Sequence, residues 1–461
     1  MGSNKLVNFR SLSQNVGRFN LRNKKFVIPQ MNRIGSHLLA ATFRGFGIDA
    51  EVMENDKGLD LGMEHTSGKE CYPCQITTGN ILYYMKKEEE RLGESFNPEN
   101  YIYFMPEADG PCRFGMYNKY QRIVLDSIDK LDRLKIGSLS TDDGYSLSGL
   151  IEEEQVRDLR KASYFCVVVA DILDRLLWRI RPYEKEPGIA DDFIESSMHK
   201  MEYAFEKYGS DNEFDKILDD LEDIVREGRT IIDPDISPKP LVGMVGEIYL
   251  RTQVHANQDV VRILERYGAE VVNASIAEWV NYTTYDGLRD AKIGFRLSLK
   301  QFRLGPMKDH LKKAFSFGAE LFYQQSKQKQ VYKSVRSLID LAEDHKVAHL
   351  EKILKEQDLF SFDVGTEACL SIPGIIEYAR EGYNGVVNVY PFTCMPSTLT
   401  SAIVRPLMNK HRLPYLDTPY DSSYQPGREA AIRTFMYQAH QHFKRNGRKK
   451  ITHTNDQELS G

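Results

Sequence analysis

Four of the six cysteines in this chain stand where short apolar runs give way to helical patterns, and that placement constrains the fold more than any other feature. They are Cys71 and Cys74 in ECYPC, Cys112 in DGPCRFG and Cys394 in YPFTCMPS. Strand-like runs are KKFVIPQ (24–30), Ala50–Met53, Tyr101–Met105, PLVGMVGEIYL (240–250), AEVVNAS (269–275), VVNVYPF (386–392) and Leu413–Leu416. Helical spacing separates them, which predicts parallel sheets with crossover helices. The 461 residues exceed one ordinary core, so two or three domains are expected at roughly 100–200 residues each.

The predicted fold is α/β, with two lobes built on parallel sheets, helical insertions and a metal site at the lobe interface. Residues 1–23 form a polar arm, and 24–149 an N-terminal lobe. Residues 150–233 form a helical segment with breaks at 182–188 and 209–212. Residues 234–461 form a C-terminal lobe carrying a helical insertion at 285–357. Asn55 to Lys69 reads as a Gly-rich loop, and Phe114–Leu131 as helix.

Composition excludes several classes. The chain is 41% hydrophobic and 28% charged with a net charge of −5, so no general attraction to nucleic acid is implied. No apolar run approaches the ~20 residues that span a bilayer. The most apolar stretch, Tyr164–Leu177, contains Asp171, Asp174 and Arg175 and reads as a buried helix. Residues 1–20 lack the apolar centre of a secretory signal. Six cysteines are too sparse for a disulfide scaffold. A cytoplasmic location is the expectation.

The four cysteines fall at predicted sheet edges beside helix N-termini. Ligands of open α/β sheets bind outside the carboxyl ends of the strands. Unpaired amides and the helix dipole there favour negative charge. An iron–sulfur cluster on four thiolates is anionic and suits such positions. Two cysteines form a C-x-x-C pair and the other two are single and distant. That spacing differs from the two close pairs of small zinc modules. It leaves three chemistries open: a cluster, a zinc site, or dithiol redox work by Cys71 and Cys74 alone. Cys166 reads as a buried helix thiol and Cys369 as a packed small residue.

ECYPC, YFMPEADGPCRFGMYN, GEIYLR and YPFTCMPS with its later YDSS resemble the acyl-CoA dehydratase activase-related proteins. These are similar to 2-hydroxyacyl-CoA dehydratase subunits and to double-cubane cluster proteins. The resemblance covers most of residues 24–440. It implies Rossmann-like lobes and a [4Fe–4S] cluster held by Cys71, Cys74, Cys112 and Cys394. It also implies ATP-linked low-potential electron transfer, or reductive activation of an acyl-CoA-type substrate, within a dehydratase or reductase system. The implied partners are an actin-fold ATPase activator and a second copy or related subunit. Glu247 in GEIYLR matches a family motif without an assigned role. Four candidate ligands depart from the three usual in dehydratase subunits, and a double-cubane cluster would need more sulfur than these four supply.

Two further motifs carry less. Gly62 to Glu70 is a near miss to a phosphate-binding loop, with Glu70 where a Ser or Thr should stand. Gly45-Phe-Gly47 matches a dinucleotide fingerprint by letters but falls at a helix end. Arg113, beside Cys112, could offset cluster charge. Asp417 and Asp421 follow a predicted strand and read either as crevice residues or as turn chemistry.

Overall fold

The computed structural model describes residues 9–53, 57–108 and 110–448. Among the described residues, nine strands build two sheets. The N-terminal sheet holds β1 (Val16–Gly17), β2 (Lys25–Ile28), β3 (Asp49–Val52), β4 (Tyr101–Phe104) and β5 (Lys135–Gly137) in the order β1-β5-β4-β2-β3. The C-terminal sheet holds β6 (Leu241–Gly246), β7 (Glu270–Asn273), β8 (Gly385–Pro391) and β9 (Tyr415–Tyr420) in the order β7-β6-β8-β9. Every strand pair in both sheets is parallel. With edge strand β1 set aside, each lobe lays its strands in the same spatial order: second, first, third, fourth. That order puts a switch point between β2 and β4 in one lobe and between β6 and β8 in the other.

The central strands are buried along most of their length, as strands covered on both faces are. All six residues of β6 are buried, and all but one of β8. The covering layer is helical: Glu153–Ile180, Ile189–Tyr208 and Phe214–Arg229, with breaks at the predicted positions. A hairpin of two long helices, Ile276–Lys300 and Leu304–Val335, leaves the C-terminal lobe.

Buried polar groups fix the layers to one another. Asp171 accepts the N–H groups of Ile276 (2.9 Å) and Ala277 (2.8 Å), satisfying the start of the hairpin. Arg175 donates to Asp344, to the Tyr332 hydroxyl and to the carbonyl of Ala342. The lobes also meet directly, Thr252 donating to the carbonyl of Met31 (3.1 Å) and Gln253 to that of Gln30 (3.2 Å).

Four expectations change. The Gly-rich stretch before Cys71 contains a helix, Leu59–His65. Its glycines serve close packing: a Cβ on Gly62 would fall 2.0 Å from the carbonyl oxygen of Gln75, and one on Gly79 would fall 1.8 Å from that of Gly58. The polar arm supplies the helix Phe9–Asn15 and edge strand β1, while residues 1–8 lie outside the described residues. Strand β5 has only three residues, too few for a period to register. The helix expected over 114–131 ends at Ser127 and starts at Tyr117 after a 3-10 turn. Gly45-Phe-Gly47 does close a helix, with Phe46 as C-cap and Gly47 at φ +78°. Among the described residues, no helix is long and apolar enough to cross a membrane.

Candidate metal centre

Each of the four predicted cysteines begins or opens a helical turn. Cys71 is the N-cap of Tyr72–Leu92, with Pro73 in the first turn and Cys74 one residue further. Cys112 is the N-cap of the turn Arg113–Met116, which follows β4. Cys394 is the N-cap of Met395–His411, which follows β8, with Pro396 in its first turn. β4 and β8 are the third strands of their lobes, so Cys112 and Cys394 occupy matching places. The prolines lack an N–H and take helical φ, which suits a first turn.

The loops carrying these residues are tied together. The Arg113 guanidinium donates to the carbonyl of Lys69 (2.9 Å), two residues before Cys71. It also reaches the Thr393 hydroxyl (3.4 Å), next to Cys394. A Cβ on Gly110 would fall 2.8 Å from the carbonyl oxygen of Gly365, so the Cys112 loop also lies against the loop that carries Glu367. Cys71 holds φ at +101° and Thr393 at +65°, conformations that side-chain-bearing residues adopt only under restraint.

Two carboxyls complete the site. Gly246 ends β6 at φ +126°, where a Cβ would fall 2.0 Å from the carbonyl oxygen of Val389. The turn places Glu247, whose side chain accepts from Tyr249 N–H (3.1 Å) and Leu250 N–H (2.9 Å). Glu367 is the buried N-cap of Ala368–Arg380. Sequence reasoning singled out Glu247 but missed Glu367. The signal was present: Gly365-Thr-Glu367 repeats the Gly-x-Glu of Gly68-Lys-Glu70.

Burial sets the protonation of the site. It pushes the Cys71 thiol up to about 12, against a hydrogen bond with Tyr117 and with Glu247 adding to the rise. Cys74 is raised by burial and by Cys71. Cys112 and Cys394 are raised by burial, then by Glu367 and Glu247. Burial and then Glu367 push the Glu247 carboxyl up to about 7. Without a cation the four sulfurs are therefore neutral thiols at pH 7, and binding a metal must release their protons.

Four thiols without an imidazole suit a thiophilic centre. One tetrahedral zinc would draw its sulfurs to within about 4 Å of one another. No three of these cysteines reach 4.8 Å of one another: among the described residues, the one set of three or more such donors at that range is His345, Glu377 and Glu381. That set is an ion-pair network, with His345 bonded to Glu381 (2.8 Å) and Glu377 to Arg380 (2.6 Å).

An apolar cavity of about 260 Å³ adjoins the site, with Cys112, Glu247 and Glu367 in its wall and Trp279 and Tyr164 among its other lining residues. Cys166 and Cys369 lie elsewhere, fully buried in the hydrophobic cores. Asp417, on β9, is bound by Tyr415 and by Ser401 and Arg405 of the helix Met395–His411, and Asp421 accepts the N–H of Ser423 in a turn. Comparison with family models and with curated proteins finds no match.

Proposed function

We propose that this chain is an electron-transferring iron–sulfur protein, with one [4Fe–4S] cluster held by Cys71, Cys74, Cys112 and Cys394. The observation that carries the reading is Arg113, which bonds the loop before Cys71 and the loop before Cys394 while adjoining Cys112. When bound, such a cluster supplies one-electron chemistry at a potential set by charge, hydrogen bonding and burial. The chain's own part is to fix four sulfurs on two lobes, to shield them from water, and to surround them with helix N-termini. Glu247 and Glu367 place further negative charge there when ionised, which favours a low potential.

The alternatives fit less well. A dithiol oxidoreductase needs a thiolate near neutral pH, and burial moves Cys71 the other way. It would also leave Cys112 and Cys394 without a part. A zinc scaffold would more commonly use two close cysteine pairs, and a double-cubane cluster requires more sulfurs than these four. ATP-linked delivery by an actin-fold ATPase, an acyl-CoA-type substrate and a place in a dehydratase or reductase system rest on the sequence resemblance alone.

The test is anaerobic purification with iron, zinc and acid-labile sulfide analysis and electron paramagnetic resonance of the reduced protein. The expected result is about four irons and four sulfides per chain. Zinc near one per chain without sulfide would overturn the reading.

A further inference from the structure

The hairpin of Ile276–Lys300 and Leu304–Val335 carries the most uneven charge in the molecule. Residues 291–319 hold seven basic side chains, Lys292, Arg296, Lys300, Arg303, Lys308, Lys312 and Lys313, against the single carboxylate of Asp309. That is a net +6 in a chain whose total is −5, so the remainder carries −11. All seven are exposed, and among the described residues none of them forms an ion pair. Pairing resumes where the hairpin joins the body: Arg289 is bound to Glu351 (2.9 Å) and Glu320 to Arg160 (3.2 Å).

The same segment is apolar along one line, although a surface helix normally turns its apolar stripe inward. Leu304, Leu311, Phe315 and Phe322 are 68%, 58%, 81% and 76% exposed. At 100° per residue they fall within about 20° of one line along the second helix. Lys308 and Lys312 fall about 40° and 80° to one side of it. A different face packs against the first helix: the Phe317 ring lies where a Cβ on Gly287 would come within 2.7 Å, and the His310 ring within 2.4 Å of one on Gly294. The stripe therefore faces away from the glycine seam between the two helices. Phe302, 90% exposed, adds an apolar side chain at the turn.

We propose that this hairpin docks the protein on an anionic lipid surface, the second helix lying flat with its apolar stripe below the headgroups and its lysines among them. A helix that lies in a membrane interface has this pattern, with Leu and Phe on one face and Lys and Arg beside it. The stems of Lys308 and Lys312 can lie along the apolar line while their ammonium groups stay with the phosphates. The charge selects the occupant. A second copy would bring seven like cations against these. An acidic protein would match them, but four side chains in one line expose well under the ~800 Å² per partner that a stable protein interface buries. A bilayer sets no such threshold, because each Lys or Arg near an anionic leaflet adds to the attraction and any length of apolar stripe enters the same surface. A nucleic acid would match the charge and leave the stripe in water. The negative remainder of the chain is repelled by the same surface, which orients the molecule hairpin first. The docking uses none of the thiols, so it stands or falls apart from the cluster.

Flotation of the full chain with phosphatidylcholine vesicles, with and without about 30% phosphatidylserine, tests this. Metal-free and metal-bound chains serve equally. Binding should be at least ~10-fold tighter to the phosphatidylserine vesicles and should fall at least ~10-fold between about 50 and 500 mM salt. Phe315→Glu should weaken it at least ~10-fold, as should Lys308→Glu combined with Lys312→Glu. Tyr437→Glu, at an exposed ring on the helix Arg428–Asn446, should change it less than ~3-fold. All are surface changes, and circular dichroism confirms that the variants fold. Depth is tested with Leu304→Trp and Phe322→Trp, measured against the background of Trp178 and Trp279 in the unsubstituted chain. Brominated lipid should quench both new tryptophans alike if the helix lies flat. A chain that stays off both vesicles at about 1 mM lipid, equal binding to the two, indifference to Phe315→Glu, quenching at Leu304→Trp alone, tighter binding to an oligonucleotide than to the vesicles, or self-association without lipid that Phe315→Glu abolishes would each overturn it.

Discussion

The two lobes share a strand order but divide the chemistry unequally. The N-terminal lobe brings three cysteines, Cys71, Cys74 and Cys112, and the C-terminal lobe brings Cys394 alone. The third-strand loops match, each placing one cysteine at a helix start. The helices that lead into those third strands do not. Tyr72–Leu92 opens on two thiols, whereas Ala368–Arg380 opens on the buried carboxyl of Glu367. The first-strand loops differ too: Asn32 after β2 caps a helix through Gly35 N–H (2.6 Å), whereas Glu247 after β6 joins the thiols. Two equal sites would need equal donor sets. The division is what the single shared site proposed above would use, with sulfur mostly from one side and carboxyls from the other.

Removing single sulfurs gives the largest effect. Cys394→Ser and Cys112→Ser, in different lobes, should each take bound iron from about four per chain to less than half that and bleach the chromophore. Cys166→Ser and Cys369→Ser should leave both unchanged, since those thiols pack in the cores. Iron analysis and visible absorption under anaerobic conditions decide it. Retention of a full cluster by Cys394→Ser would confine the site to the N-terminal lobe and end the case for sharing.

The turns that present the donors differ in tolerance. A Cβ on Gly246 meets the Val389 carbonyl at 2.0 Å in a conformation foreign to L side chains. Gly246→Ala should therefore cost at least about 3 kcal/mol. Gly68 also has positive φ, but its nearest neighbour is the Gln75 amide at 3.9 Å. Gly68→Ala should cost about 1 kcal/mol. Denaturant unfolding of the metal-free variants measures both, and similar values would mean that the Glu247 turn is no more constrained than the Gly68 turn before Cys71.

What was legible followed from local pattern. The alternation of β-branched runs with 3.6-residue periodicity marked β2, β4, β6, β7 and β8 and the breaks of the helical layer at 182–188 and 209–212. Cysteines beside proline at helix starts marked the four candidate donors. Less legible was whatever depends on partners distant in sequence. Gly58, Gly62 and Gly79 carry loop-like letters, yet they let two helices touch backbone to backbone. Glu367 looks like any acidic residue until the fold buries it. Arg113 gave no sign that it spans three loops, because Lys69 and Thr393 meet it only in space.

Arg113 sharpens the comparison at smaller scale. Arg113→Ala removes the bonds from the Cys112 loop to both neighbouring loops without removing a sulfur. By analogy with other supports around metal ligands, cluster retention under chelator challenge should fall about 10-fold or more. Arg113 makes both bonds from a single nitrogen, Nη1; Arg113→Lys keeps a cation with several donors on a shorter side chain, so it should rescue part of the loss. An unchanged half-life would show that the loops hold their positions without the tie.

The smallest effect lies in two carboxyls beside the thiols, Glu247 and Glu70, and its sign differs between the lobes. Burial and then Glu367 raise Glu247 to about 7. A carboxyl raised on folding contributes stability below its unfolded value, near 4.5, and that contribution is lost as pH climbs through 7. Glu367 is raised in the same direction by burial. Glu70, the N-terminal counterpart of Glu367, is also subject to desolvation, but hydrogen bonds from its own backbone and from Ser67 hold it below its ordinary value. Its contribution is present above the unfolded value and lost as pH falls. In the metal-free protein, Glu247→Gln should raise the denaturation midpoint at pH 8 relative to wild type and leave it little changed at pH 5. Glu70→Gln should lower it slightly at pH 8. If both variants shift the pH 8 midpoint the same way, the two carboxyls are electrostatically alike, and the division of labour between the lobes rests on sulfur alone.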